Sequence, residues 1–176
     1  MKWFDRSFTF DLPIAAFPTV LERVRGTPAR LEELIASIPF ELWTAEPLDG
    51  WSIQEHVGHL SDLDELHEAR LEDYDARAER LRPADLQNRK TEEAGHNRAA
   101  MEELLARFRA GRAAFVARLD GMNETQIART ALHPRLEQPM RVIDMAVFVA
   151  DHDDHHMARI RELARSVKGV AATRAR

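Results

Sequence analysis

Apolar residues recur along this chain at spacings of three and four, the period of helices with one buried side. Leu21, Val24, Leu31, Leu34 and Ile35 mark such a side between Thr19 and Ser37. Gly26-Thr27-Pro28 interrupts it. Thr27 can cap a restart with Pro28 in its first turn, so a kink and a break are both open, and Pro39 ends the segment. A second helix is expected from Ile53 to about Leu81, with Pro83 closing it and His59, Leu63 and Leu66 on one face. Ser52 and Glu55 stand at capping-box spacing before it, and Trp51 can staple the approach onto Val57 or the core nearby. The third helix runs from about Asn97 to Leu119, with Met101, Leu104, Leu105, Phe108, Phe115 and Leu119 as its apolar side and Gly121 as its stop. Asn123 can cap a short helix reaching Ala131, Leu132 to Pro139 reads as a loop, and a fourth helix spans about Val142 to Ser166.

The joints are polar. Residues 1–17 mix aromatic and polar groups (Trp3, Phe4, Phe8, Phe10, Phe17), an irregular arm that packs on the helices or else forms a pocket wall or a dimer contact. Residues 83–95 are the expected crossover and lid, and 167–176 a frayed basic tail. Four long helices with such joints predict an all-α chain: a single four-helix-bundle domain with a crossover loop and a short extra helix before helix four. Sites in bundles are built between helices from inward-facing side chains.

Composition narrows the function. A chain of 176 residues with 44% hydrophobic content suits one domain with a real core, and 7 Gly and 8 Pro leave helices undisturbed. A net charge of −5 argues against a nucleic-acid partner. With no cysteine, disulfides, thiolate zinc sites and a Cys nucleophile are excluded, so any thiol must arrive as a cosubstrate. Neither a signal-peptide core nor a run of about 18 apolar residues is present, so no membrane partner is expected and the cytoplasm is the default compartment.

The candidate chemistry sits late in the chain. His152 and His156 are four apart and share a helix face with Met145, Val149, Ile160 and Leu163. Two imidazoles therefore interrupt a stripe that should meet the core. Either they are hydrogen-bonded core histidines or they hold a metal. His59, inward-facing on a second helix, offers a third nitrogen, and three neutral imidazoles suit Zn, Ni or Fe with a position left open. His56 could replace His59. His155 is turned about 100° from His156 and belongs at the rim. His67 occupies an exposed helix position or lines the same cavity, and His96 caps helix three or lies on the surface. His133 either closes over the site or serves the turn beside Pro134. Asp151, Asp153, Asp154 or Asp62 could receive the second N–H of a liganding histidine, the alternative being a solvated acidic edge. Where a His-Glu-x-x-His protease carries its base, this chain has the shorter Asp153, so protease-type hydrolysis is not supported and no catalytic acid or base is assigned.

Gly50-Trp51-Ser52-Ile53-Gln54-Glu55-His56-Val57-Gly58-His59-Leu60, then His133-Pro134, then His152-x-x-x-His156-x-x-x-Ile160, resembles the DinB/YfiT-like superfamily in motif order over about Pro28 to Leu163. The resemblance implies a four-helix bundle with a left-handed twist and a divalent metal held by three histidines. By position these match His59, His152 and His156. It further implies nickel or zinc (iron or manganese as alternatives), homodimers, and transfer or isomerisation using low-molecular-weight thiols such as bacillithiol, mycothiol or glutathione. Asp151 stands where the family often has an aromatic residue, and 85–96 matches no family pattern. The expected function is a metal-dependent enzyme acting on a small molecule, moving a thiol to an electrophile or hydrolysing its substrate. The competing expectations are a non-catalytic stress-response protein binding a metal or small ligand, and a metal-free helical dimer.

Overall fold

The computed structural model describes residues 3–45, 47 and 50–174, with side chains described up to Ser166. Helices α1 (Phe17–Arg25) and α2 (Thr27–Ala36) are separated by Gly26 alone. The break comes from Pro28, which has no amide hydrogen to give. Thr27 does not cap the restart; its hydroxyl donates back to the Arg23 carbonyl at 3.2 Å. Both helices pack on α5 (Met101–Asp120) and α7 (Val142–Arg174), and together they act as one member of a four-helix bundle completed by α3 (Ile53–Asp75).

The core lies in two apolar layers. One gathers Leu31, Ile53, Val57, Leu60, Phe108 and Ile160; the other gathers Val24, Leu71, Phe115, Leu119, Val142 and Val149. Full burial of such side chains contributes about 1.5–3 kcal/mol each. Polar residues lie buried beside these layers: Asp64 and His67 on α3, Arg112 on α5, and His152, Asp153 and His156 on α7. Arg112 ion-pairs with Asp64 at 3.1 Å and with Asp153, and so ties α3, α5 and α7 together. Gly111, one residue earlier, is small because a Cβ there would come within 2.9 Å of Asp64 Oδ2.

Several boundaries differ from those the pattern suggests. The second bundle helix stops at Asp75 instead of Leu81. Arg77 turns left-handed (φ 55°), Asp73 Oδ2 accepts from the Arg82 amide at 2.8 Å, and the Leu81 amide donates to the Leu132 carbonyl. Tertiary contacts thus override a segment of good helix formers. The crossover holds a short helix, α4 (Arg89–Ala94), and residues His96–Arg98 form a 3₁₀ turn, so α5 begins at Met101 and not at Asn97. The extra helix, α6 (Glu124–Ile127), has the expected Asn123 cap, in a capping box with Gln126, yet ends well before Ala131. The segment expected as a loop is a hairpin. Strands β1 (Thr130–His133) and β2 (Gln138–Arg141) pair antiparallel with Ala131 opposite Met140, both buried. Four residues per strand are too few to show a clear alternation. Helix α7 continues to Arg174, past the expected end at Ser166, and the side chains of the expected basic tail fall outside the described residues.

The N-terminal arm is irregular as expected, with 3₁₀ turns at Trp3–Asp5 and Ile14–Ala16. Arg141 pins it by donating to the Phe10 and Leu12 carbonyls. Among the described residues no helix is long and apolar enough to cross a membrane.

Candidate metal centre

The capping box before α3 forms as its sequence requires: the Glu55 amide donates to Ser52 Oγ at 3.1 Å, and the Ser52 amide donates to Glu55 Oε2 at 2.8 Å. It fixes the start of α3, whose first two turns carry the buried His56 and His59. From α7, His152 and His156 meet them one turn apart. His59, His152 and His156 are all buried, and one ring nitrogen from each lies within 4.8 Å of the others. His152 Nε2 and His156 Nε2 are 3.1 Å apart. Two nitrogen lone pairs at that distance repel unless a proton or a cation lies between them. Two Zn–N bonds of about 2.05 Å at a tetrahedral angle would separate their nitrogens by roughly 3.3 Å, so the donor set fits such an ion.

Hydrogen bonding sets the tautomer of His59. Its Nδ1 is 3.0 Å from Thr91 Oγ1, and the Thr91 hydroxyl donates its single hydrogen to Asp62 Oδ2 at 2.9 Å. Thr91 must therefore accept from His59 Nδ1–H, which leaves a lone pair on Nε2. His96 Nε2 donates to the same Asp62 oxygen at 2.7 Å. His156 is backed in a similar way, since its Nδ1 and that of His56 are 2.8 Å apart and one must donate to the other. Burial holds the cluster neutral. His59 is pushed down to about 3 and His56 to about 4, chiefly by loss of water, with neighbouring imidazoles or cations adding to the effect. His152 and His156 are lowered well below the ordinary histidine value for the same reason.

The cluster opens onto a cavity of about 280 Å³ lined by Trp3, Trp51, Leu63, Leu66, Arg70 and Phe148 among others. That volume is near the lower end for small-molecule sites. Trp51, just before α3, packs against the rings of His56, His59 and His156. Its ring lies 4.5 Å from that of His59, and its Nε1–H donates to Glu92 Oε1 at 2.7 Å. Trp3 packs edge-on to His152 at 4.9 Å, so the arm supplies a pocket wall. Pro83, Ala84, Asp85, Leu86 and Asn88 of the crossover also line the cavity.

A DinB superfamily model matches residues 23–160. The chain belongs to the DinB superfamily. Its fold is similar to the solved structure of YfiT from Bacillus subtilis, described as a probable metal-dependent hydrolase with an unusual four-helix bundle topology. That match has 19% identity and a TM-score of 0.80, and it covers 93% of this chain and 94% of YfiT. Among curated proteins, none matches the chain.

The structure of this DinB superfamily chain brings His59, His152 and His156 together and places His56 behind His156 rather than in place of His59. His155 is half-buried at the rim beside Trp3. Other expectations fail. His96 is buried against Asp62 and is neither a cap nor a surface residue. His67 is 4% exposed and lines the cavity, so it does not take the exposed helix position. Asp62 reaches His59 only through Thr91, while Asp151 and Asp154 are held by Arg23, with Arg6 and Arg30 completing the network. Asp153 turns away to Arg112 and is fully buried. Thr91 escaped the sequence reading because it sits in a crossover with no apolar period. Gly58 was the available signal: a glycine inside α3, one residue from His59, where a Cβ would strike the His96 ring.

Proposed function

We propose that this protein is a metal-dependent enzyme in which His59, His152 and His156 hold one divalent cation, zinc or nickel. The carrying observation is the convergence of three buried, neutral imidazoles, one with its Nε2 lone pair fixed by the Thr91–Asp62 chain. Three protein donors leave a coordination position open, and the cavity beside them admits a small molecule. Such an open position favours catalysis over a purely structural ion. A divalent ion there would supply Lewis acidity, lowering the pKa of a thiol or a water enough to yield a nucleophile at neutral pH.

The chain's own residues favour the thiol. Among the described residues the carboxylate lining the cavity is Asp85, and it already accepts from the Gln87 and Arg89 amides and from Arg89 Nε. Asp153, beside His152, is committed to Arg112. A water nucleophile gains from a positioned general base, whereas a thiol starts near pKa 8.5 and needs far less help. Trp3, Trp51 and Phe148 exclude water around the imidazoles and orient an apolar electrophile. The reaction proposed is therefore transfer of a low-molecular-weight thiol to a small electrophile. Hydrolysis is the second reading, supported by the likeness to YfiT.

The test is metal content of untagged protein, wild type against His156→Ala, followed by free-thiol consumption with an electrophile panel. The expected result is about one zinc or nickel per chain in the wild type, loss in the variant with helicity kept, and thiol consumption that needs the metal. Equal metal content in the two proteins would overturn the ligand assignment. Metal-dependent ester cleavage with no thiol consumption would select hydrolysis.

A further inference from the structure

On the cavity wall, two buried hydrogen-bond donors at the hairpin turn, on Arg135 and His133, have nothing to receive them, and Arg70 lines the same cavity. Arg70, on α3, is 3% exposed, and its Nε donates to the Arg82 carbonyl at 3.2 Å. Among the described residues, no carboxylate lies within 4.0 Å of its guanidinium. Arg135, on the hairpin turn, stands over Phe4 and Phe148 with its guanidinium carbon 5.3 and 5.9 Å from the ring centres. Its buried Nη2 has no acceptor. His133 Nδ1 accepts from the Leu136 amide at 3.2 Å, so in the neutral ring Nε2 carries the hydrogen. That Nε2 is buried and unpartnered as well.

All three residues line the one cavity that also contains His59, His152 and His156. They sense one another: burial first, then Arg70 and Arg135, depresses His133, and Arg135 adds to the burial that lowers Arg70. An unpaired buried guanidinium is costly, and a protein that needs no anion there would be expected to supply a carboxylate or place an apolar residue. Asp85, which also lines the cavity, is paired with Arg89.

We propose that Arg70, Arg135 and His133 form a carboxylate-binding subsite, which anchors a small substrate by its carboxylate. The guanidinium fork matches the two oxygens of a carboxylate, and the imidazole N–H adds a third donor. Leu63, Leu66 and Phe148 take the apolar body, which leaves the opposite end of the molecule to reach the imidazole cluster. The inference rests on the reading of this cavity as the substrate site, but the subsite itself needs no metal.

The probe is benzoate, titrated by calorimetry and by protein NMR into the full chain as purified and after metal removal. Benzamide serves as the neutral isostere and inorganic phosphate as a non-carboxylate anion. Metal-free protein is expected to bind benzoate saturably and benzamide far more weakly. Arg70→Gln and, separately, Arg135→Gln should weaken benzoate about 10- to 150-fold, as the loss of a charged hydrogen bond requires, with benzamide unchanged. Arg107→Gln, outside the cavity, should leave benzoate affinity as it is. Equal binding of benzoate and benzamide, no effect of either arginine change, or phosphate binding as tightly as benzoate would overturn the proposal. A loss of benzoate binding in metal-free wild type would do so too, while leaving the metal assignment to its own test.

Discussion

Gly58→Ala sets two opposed effects against each other. On an exposed helix position, alanine in place of glycine is worth about 1 kcal/mol of extra stability. At Gly58 the new Cβ would lie 2.5 Å from His96 Nδ1 and closer still to Cγ and Cδ2, inside the 3.0 Å that real Cβ contacts respect. The His96 ring is 2% exposed, so it has little room to withdraw. Moving it breaks the 2.7 Å bond to Asp62, a charged hydrogen bond worth about 1.5–3 kcal/mol. Overpacking adds about 1–3 kcal/mol. The clash wins, and the net expectation is destabilisation of about 1.5–5 kcal/mol. Urea denaturation of metal-free protein, followed by far-UV circular dichroism, reads this as a lower midpoint at unchanged slope. His96→Ala in the same chain should remove most of the alanine penalty, because the obstructing ring is gone. A Gly58→Ala protein as stable as the wild type, or more so, would refute the placement of His96 against α3 and with it the backing of Asp62.

Three other outcomes are expected. Thr91→Val removes the hydroxyl between His59 and Asp62 at nearly constant shape, and zinc affinity measured against a chromophoric chelator should fall about 10- to 100-fold; unchanged affinity would count against the relay. Arg112→Ala leaves Asp64 and Asp153 buried without their cation and should cost about 3–5 kcal/mol in the same urea assay, whereas Arg109→Ala, which loses an exposed pair with Glu32, should cost no more than about 1 kcal/mol. An unfolded histidine titrates near 6.5 and buried His133 near 3, so between those values the unfolded chain holds more protons and stability falls as pH drops. From pH 7.5 to pH 5 this group should account for about 2 kcal/mol of the loss, visible as a shallower pH dependence in His133→Gln; parallel profiles for the two proteins would disprove it.

The sequence showed the bundle and the paired histidines clearly, and for a shared reason. Long helices repeat their facing rule many times, so Leu104, Phe108, Phe115 and Leu119 each vote for the same side, and His152 and His156 are conspicuous as departures from such a stripe. Short elements cast few votes. The hairpin at 130–141 is held by pairing between strands and by the Leu81 amide, contacts that a local window cannot contain. Histidines outside a strong stripe were equally hard to place. His96 follows Gly95 in an irregular turn, and its burial depends on a glycine 38 positions away.

Helix α3 explains why the site's outer ring was the least legible part. Its buried side includes His56, His59, Asp64, His67, Arg70 and Tyr74, a polar stripe at helical spacing where a core helix normally carries leucine. Away from the cavity most of these polar groups find a protein partner: His56 meets His156, Asp64 Oδ1 meets Arg112 although its Oδ2 has no partner, and the Tyr74 hydroxyl donates to the Met140 carbonyl at 3.0 Å. Satisfaction fails where the stripe reaches the cavity. His59 keeps an unused Nε2 lone pair, and the Arg70 guanidinium has no carboxylate within 4.0 Å among the described residues. A buried donor or acceptor left open costs about 1–3 kcal/mol, so a helix carrying several polar groups inward has reason to leave such ends open only where something other than protein completes them. His59 and Arg70, 11 residues or about three turns apart on α3, fit the proposed ligand gripped at two ends, with its reacting end at the imidazoles and its charged end at the arginines.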